Sequence, residues 1–169
     1  AYSVEDLVAE ALREGAYGIM YKPLDIDQVV GFIDKIEEGG LVLVTDDDPA
    51  TCETLLDVLK LKGYSVATAE SGGKAIELTG RNNFDVIIID IKMPVMNGLE
   101  TYRALKELKP NVRAVMITGY PEEVGDLAEQ ALKEDAYTVL YKPFEPEKLL
   151  RVVDMIREGR SKEEVKNIR

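Results

Sequence analysis

Strand-like and helix-like segments alternate along the chain after Gly40, and this alternation limits the folds open to it. Asp85–Asp90 reads DVIIID, a continuously apolar run of the kind found in strands covered on both faces. Pro49–Lys62 shows helical periodicity instead. Five such pairs predict an α/β fold, a doubly wound, five-stranded parallel sheet with right-handed crossovers. The predicted strands are Leu41–Thr45, Tyr64–Ala69, Asp85–Asp90, Val112–Thr118 and Ala136–Tyr141, and the predicted helices are Pro49–Lys62, Gly72–Arg81, Leu99–Lys109, Glu122–Lys133 and Pro146–Arg157.

An internal repeat divides the chain. Residues 1–39 align without a gap on residues 121–159, so that Lys22-Pro23 falls on Lys142-Pro143. A fixed offset of this kind marks a repeated structural unit. The second copy is preceded by the stretch from Gly40 to Gly119, which the first copy lacks. We therefore predict a truncated repeat over 1–39 and a complete domain over 40–159.

The truncated repeat is expected to form an extra helix–strand–helix unit in front of the complete domain. The pattern predicts a helix over Val4–Glu14, a strand over Ala16–Tyr21 and a helix over Asp27–Glu38. A lone strand with two short helices cannot cover its apolar faces, and an unpaired strand edge is a template for another chain. At the other end, residues 160–169 are highly charged and are expected to be a frayed tail or a linker.

Composition restricts the classes of function. The net charge of −11 argues against a surface that binds nucleic acid directly. The single Cys52 excludes an intramolecular disulfide and fits a reducing, cytoplasmic location. No apolar run approaches the ~20 residues that cross a bilayer, so no membrane segment is expected. Histidine is absent, so any phosphohistidine partner must be supplied from outside these residues.

Polar residues follow four of the predicted strands where each strand ends. Asp46-Asp47 follow the first strand, Asp90 ends the third, Thr118 ends the fourth and Lys142 follows the fifth. Because the carboxyl ends of parallel strands meet at one edge of a sheet, we expect these side chains to converge there. Three close carboxylates repel one another, and a hard cation with oxygen ligands such as Mg²⁺ relieves this conflict.

The same constellation indicates phosphoryl chemistry. An aspartate can act as a nucleophile and form an aspartyl phosphate, and a nearby lysine can hold a phosphoryl oxygen. The arrangement therefore predicts phosphoryl transfer to Asp90, with Lys142 and Thr118 beside it. Asp48 is better interpreted as a helix N-cap, because Pro49 then occupies the first helical position.

The segment 41–159 resembles the response-regulator receiver domains of two-component signalling, which have a flavodoxin-like, CheY-like fold. Four motifs in order carry the resemblance: LVLVTDDDP at 41–49, VIIIDIKMPVMNG at 86–98, MITGY at 116–120 and YKPF at 141–144. Residues 1–39 resemble the last helix, strand and helix of a second receiver, equivalent to helix 4, strand 5 and helix 5. That copy keeps Lys22 as the counterpart of the site lysine but has no acid pair, acceptor or switch threonine, so Lys22 is expected to be a solvated remnant.

The resemblance implies a role for each site residue. It implies metal binding by Asp46, Asp47, Asp90 and the backbone carbonyl of Lys92. It implies that Asp90 is the phosphoacceptor, with Thr118 as the switch hydroxyl and Lys142 facing the phosphoryl group. It also implies a cis peptide bond at Lys142-Pro143. One position departs from the family: Val139 stands where receivers usually carry an aromatic switch residue.

The leading hypothesis is a phosphorylatable signalling switch that accepts a phosphoryl group on Asp90 from a histidine kinase or histidine phosphotransfer protein. Such a module is not an enzyme in the usual sense, since it assists only its own phosphorylation and slow hydrolysis. One alternative is an aspartate-nucleophile phosphatase of the haloacid dehalogenase type, because Asp46 and Asp48 form an Asp-x-Asp after a strand. Another is a receiver-like interaction module that is not phosphorylated.

The kinase, the output domain and the pathway are not defined by the sequence. We expect a homodimer, formed through residues 1–39 or through the 122–158 face. Reciprocal pairing of the N-terminal units and exchange of one unit into a neighbour's sheet would both produce it.

Overall fold

The structure of the chain is a computed structural model that describes residues 3–14, 16, 22–23, 26 and 40–168. Within residues 40–168, five parallel strands form one sheet in the order β2-β1-β3-β4-β5. Helices connect successive strands and cover both faces. The predicted doubly wound, five-stranded parallel sheet is therefore confirmed. The strands are β1 (Leu41–Thr45), β2 (Ser65–Ala69), β3 (Val86–Asp90), β4 (Ala114–Thr118) and β5 (Thr138–Tyr141).

The helices before residue 160 that the structure describes agree with the periodicity to within one residue at their ends. They are α1 (Val4–Arg13), α2 (Pro49–Leu61), α3 (Gly72–Arg81), α4 (Gly98–Leu108), α5 (Pro121–Lys133), α6 (Pro146–Arg157) and α7 (Lys162–Lys166). None of the helices in the described ranges is long and apolar enough to span a membrane.

Alternate residues of each strand supply two separate cores. In β3, Ile87 and Ile89 pack with α3, α4 and α5, whereas Val86 and Ile88 pack with α2 and α6. All four side chains are fully buried. Burying a side chain of this size contributes about 1.5–3 kcal/mol relative to leaving it exposed. Because both faces of the central strands are covered, their sequences are apolar throughout and do not alternate.

Local capping fixes where the helices beside the polar edge of the sheet begin. The Asp48 carboxylate accepts hydrogen bonds from the backbone N–H groups of Ala50 and Thr51, and Pro49 is the first residue of α2. The predicted N-cap role of Asp48 is thus confirmed. Asn97 and Glu100 form a reciprocal capping box at the start of α4.

The C-terminal residues differ from the expectation of a frayed tail. Ser161 and Glu164 form a capping box that starts α7, and Val165 is only 2% exposed. Val165 packs into the core shared by α2 and α6, with Ile168 against the same cluster. That expectation is wrong for residues 161–168, because two apolar side chains in this charged segment reach the core.

The N-terminal helix is confirmed as α1, which begins at a capping box between Ser3 and Asp6. Its C-terminal turn lies against the start of α3, where Glu14 pairs with Lys74 at 2.9 Å. The predicted strand over 16–21 and helix over 27–38 lie outside the described residues, apart from a few isolated positions. Lys22 is exposed, as expected for a residue without site partners.

Candidate phosphorylation and metal site

The predicted site residues lie at the carboxyl edge of the sheet. Asp46 and Asp47 directly follow β1, and Asp90 is the last residue of the neighbouring β3. Lys142 directly follows β5, and its backbone N–H donates to the carbonyl of Thr118 at 2.7 Å. Parallel pairing of these strands is what brings residues from distant parts of the sequence to one edge.

Three carboxylates form an oxygen cluster at this edge. One carboxylate oxygen from each of Asp46, Asp47 and Asp90 lies within 4.8 Å of the others. Asp46 is 1% exposed and Asp90 is 5% exposed, whereas Asp47 is exposed to solvent. The Asp46 Oδ1 atom also accepts a hydrogen bond from the backbone N–H of Asp48 at 2.9 Å. The cluster therefore has two fixed, buried members and one at the opening of the site.

Lys142 bridges the two buried carboxylates. Its Nζ atom donates to Asp46 Oδ2 at 2.6 Å and to Asp90 Oδ1 at 2.9 Å. Burial alone would lower the pKa of Lys142, but the hydrogen bonds to Asp46 and Asp90 outweigh burial and raise it. The ammonium group therefore stays charged at neutral pH and offsets part of the negative charge of the cluster.

For the pKa of Asp90, burial outweighs the contact with Lys142. Burial raises the pKa of the Asp90 carboxyl, Lys142 opposes this through its hydrogen bond and charge, and Asp46 adds to the increase. The net shift is upward from the ordinary value for an aspartate. An added cation would favour the ionised form of Asp90, which is also the nucleophilic form.

Thr118 is the one predicted side chain that does not line the site cavity. It is fully buried, and its Oγ1 atom accepts a hydrogen bond from the backbone N–H of Tyr120 at 3.0 Å. The hydroxyl is thus occupied on the side of the β4–α5 loop. A role for Thr118 at a phosphoryl group would use its O–H as the donor, which this accepted hydrogen bond does not occupy.

The cavity over the cluster has a volume of about 580 Å³. It is lined by Asp46, Asp47, Asp48, Thr51, Asp90, Lys92, Gly119, Tyr120 and Lys142. A cavity of about 660 Å³ lies between α1 and α3, but its lining lacks the three clustered carboxylates. Chemistry and not volume therefore identifies the smaller cavity as the candidate site.

The loop between β3 and α4 is held close beneath the site. A Cβ atom on Gly98 would lie 2.3 Å from the Asp90 carbonyl oxygen and 2.7 Å from Ile91 Cα, so only glycine fits there. Gly98 donates its backbone N–H to the Ile91 carbonyl at 2.9 Å. Gly98 therefore allows the close approach of this loop to the end of β3. The Lys142-Pro143 peptide bond is cis, as predicted, and so is Lys22-Pro23.

The donor set fits a hard divalent cation. All three clustered side chains offer carboxylate oxygens, which Mg²⁺ prefers, and the exposed Asp47 leaves room for coordinated water. Asp46, Asp47 and Asp90 are the residues that would hold such an ion. The predicted contribution of the Lys92 backbone carbonyl stays a prediction.

Sequence reasoning missed the side chain of Lys92. Its Nζ atom lies 3.8 Å from the centroid of the Tyr120 ring and 2.6 Å from Glu123 Oε2. The two partners lie beyond the next strand, and no pattern in the sequence connects them with Lys92. Only the parallel arrangement of β3 and β4 brings the two loops together.

Comparison with known proteins agrees with this geometry. Residues 42–154 match the family model described as "Response regulator receiver domain". The transcriptional regulatory protein ZraR of Klebsiella oxytoca is 37% identical over 108 residues, which cover 64% of this chain and 24% of that protein. The chain thus spans about a quarter of the length of this curated relative.

Solved structures show the same fold. A receiver domain protein from Clostridium thermocellum has a TM-score of 0.67 at 28% identity, covering 71% of this chain and 95% of that one. CheY in the CheX–CheY–BeF3–Mg complex of Borrelia burgdorferi has a TM-score of 0.63 at 28% identity, covering 69% of this chain and 87% of that one. The family match extends over most of the chain, and the chain belongs to the response regulator receiver domain family.

Proposed function

We propose that the chain is a phosphorylatable switch that accepts a phosphoryl group on Asp90 from a histidine kinase or histidine phosphotransfer protein. The observation that carries the proposal is the bridge from Lys142 to both Asp46 and Asp90 within a three-carboxylate cluster. This arrangement combines a buried nucleophile, a cation beside it and an oxygen set suited to a metal ion. Each part has a role in phosphoryl transfer.

In the proposed step, a carboxylate oxygen of Asp90 attacks the phosphorus atom of the donor phosphohistidine. The new O–P bond forms as the P–N bond breaks, and the bonding electron pair leaves with the imidazole nitrogen of the donor. Lys142 holds an oxygen of the transferred group and offsets its charge. When bound, Mg²⁺ supplies further neutralisation of the phosphoryl oxygens, with Asp46, Asp47 and Asp90 as its ligands.

The similar structure from the Borrelia burgdorferi CheX–CheY complex, which contains BeF3 and Mg, supports the proposal. The phosphatase alternative is weakened by α2, which begins at Pro49 and leaves no room for an inserted flap after Asp46-Asp47-Asp48. A receiver-like module without phosphorylation stays open as the second hypothesis. We place the output of the switch in the loop after Thr118 and in α5, because Thr118 already contacts this loop.

The test is phosphorylation by a small donor. With acetyl phosphate and Mg²⁺, the intact protein should gain the mass of one phosphoryl group, and the adduct should not form when the metal is chelated. Asp90→Asn should remove the adduct, whereas Asp57→Asn, an exposed aspartate on α2, should retain it. An equal adduct on Asp90→Asn would refute the assignment. Steady turnover of a small phosphate ester would support the phosphatase instead.

We also propose that residues 1–39 are the end of a second receiver repeat and that they mediate self-association. In α5, the repeat equivalents of Val4 and Leu7 are Val124, which is buried, and Leu127, which is partly buried against the core. In α1, the corresponding apolar side includes Val4 and Leu7, which are 66% and 54% exposed. A helix whose sequence is suited to burial but whose apolar side is exposed is a candidate contact surface.

A further inference from the structure

Lys92 joins the two loops that flank the opening of the Asp90 cavity. It follows β3, and its ammonium group lies over the face of Tyr120 and pairs with Glu123 at the start of α5. Lys92 and Tyr120 both line the cavity, and Glu123 lies outside it. We refer to Lys92, Tyr120 and Glu123 as the clasp. Of the described residues, Lys92 and Lys142 are the two lysines in the cavity lining.

The interactions within the clasp are weak enough to be exchanged. The side chains of Lys92 and Glu123 are 44% and 59% exposed, and exposed ion pairs of this kind contribute little to stability. Tyr120 is half-exposed, so its side chain is not enclosed by the core. A partner that offers Lys92 more negative charge at lower exposure would therefore displace Glu123.

A phosphoryl group on Asp90 is such a partner. It adds a charge of about −1.5 to −2 and three strong acceptor oxygens. Asp90 lies at the base of the same cavity and is only 5% exposed, so this charge is less screened than that of Glu123. Lys142 already contacts Asp90 through the hydrogen bond at 2.9 Å. A second cation from the loop side would enclose the group.

The movement of Lys92 would reach α5 through Tyr120. Tyr120 directly precedes α5, with the Lys92 cation over its ring and its backbone N–H donating to Thr118 Oγ1. Its carbonyl accepts from the N–H groups of Glu123 and Val124 in the first turn of α5. A phosphoryl group would compete with Tyr120 and Glu123 for Lys92. It would also accept a hydrogen bond from the Thr118 O–H while the Thr118 oxygen accepts from Tyr120. Val139 is partly buried and has no aromatic ring to move, so Tyr120 is the aromatic group in contact with both Lys92 and Thr118.

We propose that Lys92 is a positioning residue for the phosphoryl group, and that its transfer from Glu123 to this group releases Tyr120 and the start of α5. This inference rests on the proposed phosphorylation of Asp90. It assigns to the Lys92 side chain a role separate from the metal contact predicted for its backbone carbonyl. It also replaces the aromatic switch that the chain lacks at position 139.

The experiment uses beryllofluoride with Mg²⁺ as the probe and follows binding and the backbone amide NMR signals of residues 119–125. In the parent protein, the probe should shift these signals. Lys92→Met should bind the probe about tenfold more weakly, the loss expected for one charge-assisted hydrogen bond, and the shifts at 120–124 should be absent at saturation. Glu123→Gln should bind up to about fivefold more tightly, because the competing ion pair is gone.

Lys133→Met is the matched control, since Lys133 is an exposed, ion-paired lysine on α5 that does not line the cavity. It should leave both affinity and shifts unchanged. Parental affinity together with parental shifts in Lys92→Met would overturn the inference. The proposed function fails separately, if the parent protein neither binds the probe nor accepts a phosphoryl group on Asp90. Circular dichroism of each variant confirms that the comparison is between folded proteins.

Discussion

At the scale of single residues, Lys142 controls the charge balance of the site. It is the group that offsets Asp46 and Asp90 together, and its own pKa is raised by hydrogen bonds to both. The pKa of Asp90 is raised in the folded chain despite this contact. The folded state therefore holds the Asp90 proton more tightly than the unfolded state. As the pH rises, Asp90 therefore loses its proton first in the unfolded state and later in the folded state. The free energy of unfolding falls as the pH rises from the unfolded-state pKa of Asp90 through its folded-state pKa.

Removing the Lys142 charge should increase the free-energy cost of ionising Asp90 in the folded state. We expect Lys142→Met to lose about 2–3 kcal/mol of unfolding free energy at neutral pH, because two buried carboxylates lose their shared cation. The difference from the parent should narrow as the pH falls and Asp90 becomes protonated, at a pH above the range of an ordinary aspartate. Adding Asp90→Asn to Lys142→Met should recover part of the loss. Urea denaturation of the parent and both variants at several pH values measures these free energies of unfolding. A difference between Lys142→Met and the parent that does not change with pH would contradict the electrostatic account.

At the scale of elements, the site depends on how closely the β3–α4 loop packs beneath Asp90. Gly98 begins α4 at a position where a methyl group would meet the main chain of Asp90 and Ile91. Unlike a flexible side chain, these backbone atoms cannot relieve the contact by changing rotamer. The start of α4 is therefore tied to the position of Asp90 through contact between two stretches of backbone.

We expect Gly98→Ala to destabilise the protein by about 1–3 kcal/mol, the range for an added methyl group in a tightly packed site. It should also slow the phosphorylation of Asp90, since the Asp90 backbone must shift to relieve the contact. Gly73→Ala is the control, because Gly73 lies in the first turn of α3 with no atom within 4 Å of the added Cβ. Alanine there should be neutral or stabilising by up to about 1 kcal/mol. Equal urea midpoints for the two variants would show that the loop yields more easily than the packing indicates.

At the scale of the whole molecule, the sequence predicted what depends on periodicity and on the direction of the strands. Because all five strands are parallel, polar residues after β1, β3 and β5 had to meet at one edge, and Asp46, Asp90 and Lys142 do so. Interactions between loops were not predictable. The contacts of Lys92 with Tyr120 and Glu123 depend on side-chain positions across two connections, and no spacing encodes them.

The two ends of the chain differ from the rest for a related reason. The ordered helix α7 was missed because its few apolar residues stand among charges, and only the packed structure shows that Val165 is buried. Helix α1 was predicted, but its ion pairs with α2 and α3 were not. Arg13 lies 3.8 Å from Glu53, and Glu14 lies 2.9 Å from Lys74. Surface charges permit many such pairings, so composition alone does not select one.

The exposed side of α1 leads to a prediction about assembly. Val4 and Leu7 remain exposed while the ion pairs of Arg13 and Glu14 hold the C-terminal end of the helix. We therefore expect the chain to form dimers whose mass in light scattering depends on concentration, and a chain that starts at Gly40 to be monomeric. Leu7→Glu should weaken association at least about tenfold, since burying an unpaired carboxylate is costly.

Leu61→Glu is the matched control, because Leu61 is an exposed leucine at the end of α2, 90% accessible and far along the sequence from α1. It should associate as the parent does. If the parent is monomeric at every concentration and Leu7→Glu behaves identically, the N-terminal unit has no role in assembly. If Leu7→Glu still dimerises while the chain from Gly40 does not, association runs through residues 1–39 but not through the apolar side of α1. A dimer that persists in the chain from Gly40 would instead place the contact on the complete domain, with the 122–158 face as the next surface to test.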